Sequence, residues 1–321
     1  MEVLAERNVD FVVVGEGERT LVELAAALEA GEPSYAAIQG LGWLDAAVPM
    51  VNERRALMRP DEVGLPARDL LSLEFYADAF NVLTARGGCP YRCPFCSASF
   101  IWHGVHRQRS AAAVVDEMEM LARDYGARFV FFVDDIFTLD RRWVDELLVE
   151  LERLAGLVTW GCATRVDLVD AELLQRMAAA GCTGIQFGVE SGSQTILDSV
   201  KGIEKERALH AVQWAVAAGI RATASFMVPF PDDTLETLQE TFAFMRELQD
   251  AGAELMMSYT APFPGTLFHE KAEELGLRIL TDDWEQFDAK HAVMETRNLS
   301  AQTIERVVEE EMGRLGLGKS A

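Results

Sequence analysis

The chain has few of the features that mark membrane, secreted or nucleic-acid-binding proteins. None of its apolar runs reaches the roughly 18–20 residues that a membrane-spanning helix needs. The first residues, MEVLAERNVD, include acidic side chains and lack the apolar core of a secretory signal. Lys and Arg number 29 against 52 Asp and Glu, and the net charge of −23 repels phosphate backbones. The sequence therefore predicts a cytoplasmic protein with no membrane span and no nucleic-acid partner.

Cysteine is also scarce, and its placement is uneven. Three of the five cysteines, Cys89, Cys93 and Cys96, lie in the stretch RGGCPYRCPFCSAS. In a cytoplasmic chain such a cluster indicates metal binding or chemistry rather than disulfides. A structural zinc site needs a fourth ligand, for which His103 and His106 are the nearest candidates. A 4Fe–4S cluster usually takes four cysteines, so three would leave one iron open to a group that is not protein.

From about residue 79 onward, apolar strands alternate regularly with amphipathic helices. The predicted strands are 79–85, 129–133, 158–163, 184–189, 223–228 and 255–260. The predicted helices between them are 110–125, 141–154, 170–180, 204–218 and 235–251. This alternation is typical of an α/β fold with a parallel sheet, either a partial barrel of six units or a doubly wound sheet. Ligands bind such sheets at the carboxyl ends of the strands.

The first 72 residues follow a different pattern. The apolar run Val9–Val14 predicts a buried parallel strand, and helical spacing from Glu18 to Leu28 predicts a helix after it. The turn GEGERT resembles the start of a dinucleotide fingerprint, but Thr20 replaces its third glycine. A short hairpin and a proline-marked linker follow. We therefore expect an N-terminal piece over 1–72, a core over 73–276 and a helical extension over 277–321.

The spacing Cys89-x-x-x-Cys93-x-x-Cys96, with aromatic Phe95 before the last cysteine, resembles the signature of the radical S-adenosylmethionine (radical SAM) superfamily. The resemblance covers roughly residues 75–275 and implies a partial (β/α)6 barrel. It also implies that the open iron of a 4Fe–4S cluster binds SAM. An electron from the cluster then cleaves SAM to methionine and a 5′-deoxyadenosyl radical, which abstracts hydrogen from the substrate.

The same resemblance implies roles for residues at the strand ends. Phe95 is expected to pack near the adenine, Asp134 to accept from the amino group of SAM, and Arg165 to face its carboxylate. Glu190 in FGVESGS is expected to reach the ribose hydroxyls, with Ser191 beside it in the cofactor site. The alternatives are a surface position for the arginine and helix capping for the acidic residues and the serine.

The segment DFVVVGEGERTLVEL and the linker after it resemble the branch whose members carry an N-terminal cobalamin-binding domain. That branch includes hopanoid methylases and the anaerobic magnesium-protoporphyrin ester cyclase. Most of the cobalamin domain is missing here, and no Asp-x-His-x-x-Gly loop is present. The chain is therefore expected to be either a truncated or mis-started member or one that descends from such a member and works without cobalamin. Some members of the branch hold cobalamin without such a histidine, so the missing loop alone leaves a cobalamin site open.

The function expected from the resemblance is methylation or oxidative modification of an organic small molecule, of the lipid or tetrapyrrole class, with a reductant such as flavodoxin or ferredoxin. The alternative is a noncatalytic iron–sulfur or zinc-binding module, or an inactive fragment of a larger cobalamin-dependent enzyme. Cys162 and Cys182 are too few for a second cluster and are expected to be small buried residues.

Overall fold

The computed structural model describes residues 2–5, 8–31, 34–75, 79–102 and 104–317. The chain divides into two compact units, Met1–Pro66 and Ala67–Ala321. The first unit contains α1 (Glu2–Ala5), β1 (Phe11–Val13), α2 (Glu18–Glu29), β2 (Leu41–Asp45) and β3 (Val48–Val51).

The first unit contains a three-stranded antiparallel sheet in the order β1-β2-β3. The hairpin β2–β3 and the helix α2 were predicted. The buried parallel strand was not found, because β1 is half-buried and pairs with β2 in the antiparallel direction. A short apolar run has the same composition in both kinds of sheet, so the sequence alone did not separate them. The small core of this unit consists of Leu24, Ile38, Leu41 and Trp43.

The second unit is built on a parallel sheet of six strands in the order β11-β10-β9-β8-β7-β4. Its strands and the elements between them are β4 (Ala79–Val82), β5 (Ala85–Gly87), α3 (Ala98–Trp102), β6 (His106–Gln108), α4 (Ala111–Asp124), β7 (Phe129–Phe132), α5 (Arg141–Leu151), β8 (Thr159–Arg165), α6 (Ala171–Ala179), β9 (Cys182–Glu190), α7 (Gln194–Val200), α8 (Lys205–Ala217), β10 (Arg221–Val228), α9 (Leu235–Asp250) and β11 (Glu254–Tyr259). The predicted α/β fold with a six-stranded parallel sheet is confirmed.

After the sheet the chain continues through α10 (Leu267–Glu270), β12 (Arg278–Ile279), β13 (Met294–Glu295) and α11 (Ala301–Arg314). β12 and β13 form a small antiparallel ladder. The side chain of Ser300 caps α11 by accepting from the backbone N–H of Thr303. None of the helices in the described ranges has the length and hydrophobicity that crossing a membrane requires.

Helices cover one face of the six-stranded sheet. Alternate strand residues such as Phe132, Trp160 and Phe226 are fully buried there against α4, α5, α8 and α9. Cys162 and Cys182 belong to the same core, as predicted. Several helices begin where a side chain satisfies free backbone N–H groups, for example Asp140 at α5 and Asp170 at α6. The helical layer thus fixes the strands and brings their carboxyl ends to one edge.

Candidate functional site

The three cysteines lie in a loop between β5 and α3 at the carboxyl edge of the sheet. An antiparallel ladder between β5 and β6 closes the base of this loop, and the backbone N–H of Gly88 donates to Val105 O at 2.9 Å. Gly87 has a φ of +128°, and a Cβ atom there would overlap the carbonyl of Val105. At Gly88 the reason for glycine is close approach instead, since a Cβ would lie 2.7 Å from Trp102 Cβ. We call residues 88–97 the cysteine loop.

The thiols of Cys89, Cys93 and Cys96 are free and half-buried. Burial raises the pKa of all three thiols, and burial together with the charges of the other two cysteines raises the pKa of Cys89 to about 11. In the described ranges no group of three His, Cys, Asp or Glu side chains is placed to hold a single metal ion. The donor set of three soft thiols around one open loop fits an iron–sulfur cluster.

The two histidines considered as further ligands differ in what the structure describes. His103 lies outside the described residues. His106 lies in β6, where burial lowers its pKa, and its buried Nε2 atom has no hydrogen-bond partner among the residues that the structure describes. It lines a small pocket with Cys89, Asp134 and Asp135. His106 is therefore close to the first cysteine rather than on the surface.

Phe95 packs the cysteine loop against the end of the sheet. Its ring centroid lies 5.7 Å from that of Phe230 and 6.3 Å from that of Phe268. The backbone N–H of Phe268 also donates to Pro94 O at 3.2 Å. Met227 of β10 packs into the same cluster. The cysteine loop therefore rests on the carboxyl end of β10.

The two acidic residues after β7 have different partners. Asp134 is buried and accepts from the backbone N–H groups of Thr84, at 3.0 Å, and Ala85, at 2.8 Å. Burial nevertheless raises the pKa of Asp134 to about 6. Asp135 accepts instead from the backbone N–H of Cys89. The structure thus uses Asp134 to hold the strand that leads into the cysteine loop, and Asp135 to hold the loop itself.

Arg165, at the end of β8, is buried rather than on the surface. Its Nε and Nη2 atoms donate to the two carboxylate oxygens of Asp167, each at 2.9 Å. The guanidinium carbon lies 3.8 Å from the ring centroid of Tyr91, which sits between the first two cysteines. Nη2 also donates to Lys201 O at 3.4 Å. Arg165 therefore joins the end of β8, the cysteine loop and the segment after α7.

Glu190, the last residue of β9, has a φ of +74°, a conformation that residues other than glycine rarely adopt. Lys201 Nζ donates to Glu190 Oε1 at 2.7 Å and to Gly188 O at 2.6 Å, and both charged side chains are nearly buried. Any side chain at position 188 would collide with this pair. Strained backbone of this kind concentrates at functional sites, and the ion pair keeps Glu190 in place.

Ser191 connects the turn after β9 to helix α9 through hydrogen bonds. Its hydroxyl lies 3.1 Å from that of Thr241 and accepts from the backbone N–H of Ser193 at 3.1 Å. The hydroxyl of Thr241 also accepts from the N–H of Gly192 at 3.0 Å. Ser191 is fully buried, so its contacts in the structure are with the protein itself.

The structure brings together the residues that the sequence placed on separate strands. The charges of Lys201, Arg165 and Glu190 all act on the pKa of Cys93, and that of Asp135 acts on Cys89 and Cys96. Sequence reasoning missed Tyr91, Asp167 and Lys201. No pattern marks Lys201, which simply follows a short helix, whereas the position of Tyr91 between two cysteines was a signal that could have been used.

Comparison with known proteins identifies the family of a chain with this geometry. The profile of the radical SAM superfamily matches residues 85–245, which is half of the chain. Over 94% of its length the chain is 31% identical to an uncharacterized methyltransferase of Pyrococcus horikoshii, of which it covers 66%. Over 89% of its length it is 30% identical to the anaerobic magnesium-protoporphyrin IX monomethyl ester cyclase of Rubrivivax gelatinosus, of which it covers 52%. The chain thus spans between half and two thirds of these relatives.

A solved structure agrees with the sequence relatives. The chain is similar to the radical SAM methyltransferase TsrM of Kitasatospora setae, solved with tryptophan substrate and a SAM analogue bound. The two are 25% identical with a TM-score of 0.72, and the match covers 88% of this chain and 58% of TsrM. The predicted relationship to the methyltransferase and cyclase branch is confirmed. Membership implies an enzyme that uses a 4Fe–4S cluster and SAM. With its cysteine loop, its six parallel strands and these relatives, the chain belongs to the radical SAM superfamily.

Proposed function

We propose that Cys89, Cys93 and Cys96 hold a 4Fe–4S cluster and that the chain cleaves SAM reductively at the carboxyl edge of the sheet. The observation that carries the proposal is the convergence of Arg165, Glu190 and their partners on the cysteine loop. When bound, the cluster supplies one electron, which splits SAM into methionine and a 5′-deoxyadenosyl radical. Such a radical would take a hydrogen atom from the substrate and would leave as 5′-deoxyadenosine.

The protein residues bind and orient the cofactor in this proposal. Lys201 occupies Oε1 of Glu190, which leaves Oε2 to accept from ribose hydroxyls. Arg165 is already bound to Asp167 on two donors, so it acts on SAM through its charge and through the position it gives to Tyr91. To accept a hydrogen bond from the amino group of SAM, Asp134 has to give up the bond from the backbone N–H of Thr84 or Ala85. Asp135 already contacts the cysteine loop.

The substrate is proposed to be an organic small molecule that is methylated or oxidatively modified. The relatives support these two reactions, since one is a methyltransferase and the other a cyclase that acts on a tetrapyrrole ester. Reduction of the cluster requires an electron donor, for which a flavodoxin or ferredoxin is proposed. Another structure of TsrM has cobalamin bound, so the effect of cobalamin on this chain is part of the test.

The experiment is anaerobic reconstitution with iron and sulfide, followed by reduction with dithionite in the presence of SAM. We expect about four irons per chain and formation of 5′-deoxyadenosine, detected by mass spectrometry. Parallel reactions with and without added cobalamin test whether it increases turnover. Cys93→Ala is expected to lose both the iron and the product.

The matched control is Cys182→Ala, which removes a thiol of the core rather than of the loop. It is expected to retain iron and product formation. A wild-type chain that binds one zinc, stays colourless and leaves SAM intact would contradict the proposal and favour the noncatalytic module.

A further inference from the structure

The six-stranded sheet has a second face that carries residues of a different kind. Residues directly opposite each other on paired strands share a face, as do alternate residues along one strand. Pairing of Phe131 with Gly161, of Ala163 with Gln186 and of Ser225 with Met256 therefore defines one surface. It lies on the side away from the helical core. We call it the open face, and it includes Phe131, Ala163, Gln186, Ser225, Met227 and Met256.

The cysteine loop closes the carboxyl end of the open face. Met227 packs in the cluster that contains Phe95, and Tyr91 stacks on Arg165. Arg165 pairs with Gly188, and Gly188 pairs with Ser225, so these three residues form one row across the sheet. With strands about 4.8 Å apart, Ser225 lies about 10 Å from the end of β8. The open face thus lies beneath the proposed cluster.

Two polar side chains of the open face are hydrogen-bonded to each other. Gln186 Nε2 donates to Ser225 Oγ at 2.8 Å and also contacts Met256 Sδ at 3.8 Å. A glutamine amide also has a carbonyl acceptor, and a serine hydroxyl that accepts still has its proton to donate. Within the described residues neither Gln186 Oε1 nor the Ser225 proton has another partner. The pair therefore presents one acceptor and one donor side by side, fixed by a shared hydrogen bond.

Near the pair, the open face is partly exposed and its charged residues are bound to one another. The charged side chains nearest to the pair already have partners. Arg165 is bound to Asp167, and Arg221 lies 3.8 Å from Glu254. The ion pair of Lys201 and Glu190 lies beside Gly188, which pairs with Ser225. Phe131, Met227 and Met256 are apolar, and Phe129 and Phe131 fill the space over Gly161. A carboxylate, phosphate or ammonium group at the pair would therefore be desolvated beside charges that their own partners already neutralise.

We propose that Gln186 and Ser225 form the specificity subsite of this enzyme and bind an uncharged group of the substrate that both donates and accepts, such as a carboxamide. The rest of the substrate lies as an apolar or aromatic body against Phe131, Met227 and Met256. A carboxamide N–H donates to Gln186 Oε1, and its carbonyl accepts from the hydroxyl of Ser225. This inference rests on the proposed function, because it concerns the substrate of the same site.

The test uses three probes with one ring and different charge: benzamide, benzoate and benzylamine. Their dissociation constants for the reconstituted full chain are measured by ligand-observed NMR. Benzamide is expected to bind about tenfold more tightly than either charged probe. Gln186→Met keeps the length of the side chain and removes the amide, so it is expected to weaken benzamide binding about five- to tenfold. Ser225→Ala is a second variant with a smaller change in volume.

The matched control is Gln213→Met, on the exposed side of α8, which is expected to bind all three probes as the wild type does. The subsite would be overturned by equal affinity for benzoate and benzamide. It would also be overturned if the dissociation constant of benzamide were unchanged in both Gln186→Met and Ser225→Ala. Formation of 5′-deoxyadenosine by the wild type is measured separately. A wild type that selects benzamide but leaves SAM intact contradicts the proposed function and not the subsite, whereas the reverse result contradicts the subsite alone.

Discussion

The two faces of the six-stranded sheet belong to the same strands and have opposite characters. On the covered face, Phe132, Trp160 and Phe226 are completely buried and packed against helices. On the open face, Gln186 and Ser225 are half-buried and share a hydrogen bond. A side chain contributes to stability through the apolar area and contacts that it buries, and the remaining exposed groups are free to bind. The comparison therefore assigns stability to one face and recognition to the other.

The largest expected effect tests this division within one pair of strands. Trp160→Ala on the covered face is expected to lower the free energy of unfolding by about 3–5 kcal/mol, because it removes a fully buried ring and leaves Ala180 O without its donor. Phe131→Ala on the open face is expected to cost less than half as much. Urea denaturation of both variants measures the difference, and equal losses would contradict the assignment of stability to the covered face.

The second effect concerns the edge where the two faces meet. Lys201→Met leaves the carboxylate of Glu190 nearly buried without its partner, which is expected to cost about 3 kcal/mol of unfolding free energy. The double variant Lys201→Met with Glu190→Gln removes both charges and is expected to recover most of that loss. A double-mutant cycle by urea denaturation provides the coupling energy. Additive losses would show that the pair does not hold the turn.

Most of the fold could be predicted, because both periodicities were present in the sequence. The predicted strands 129–133 and 223–228 differ from β7 and β10 by one and two residues. Helix α7 was missed, since its seven residues follow the turn ESGS and show too few turns for a periodic signal. The first strand was assigned to a parallel sheet because its antiparallel partner depends on a distant hairpin.

The candidate site was predictable only in part. Spacing identified Cys89, Cys93 and Cys96, because ligands of one loop are close in sequence. The contact of Lys201 with Glu190 depends on a left-handed residue and an irregular register between β9 and β10, neither of which leaves a pattern in the sequence. The roles given to Phe95, Asp134, Arg165, Glu190 and Ser191 toward SAM stay predictions.

The third effect is a pH dependence at the end of the covered face. Burial raises the pKa of Asp134 to about 6, above the value of about 3.9 in an unfolded chain. The folded state therefore holds this proton more tightly, and stability decreases as the pH rises from about 4 to about 6. A shift of about two units corresponds to about 3 kcal/mol at most.

Asp134→Asn is expected to reduce this decrease, measured as the unfolding free energy at pH 4 and pH 6.5. Burial also raises the pKa of Asp233 to about 6, so the variant is expected to retain the part of the decrease in stability that Asp233 causes. The exposed Asp250→Asn serves as the control and is expected to follow the wild type. An Asp134→Asn variant with the wild-type pH dependence would contradict the assignment.

The smallest effect concerns the contact through which the open face supports the cysteine loop. Tyr91→Leu removes the ring that lies 3.8 Å from the guanidinium of Arg165, and a cation–π contact of this kind is worth about 1 kcal/mol. Tyr91→Phe keeps the ring and is expected to stay within about 0.5 kcal/mol of the wild type. Urea denaturation of the iron-free chain measures both variants without any contribution from the cluster. If Tyr91→Phe lost as much stability as Tyr91→Leu, the phenolic hydroxyl rather than the ring face would be the group that attaches the loop to β8.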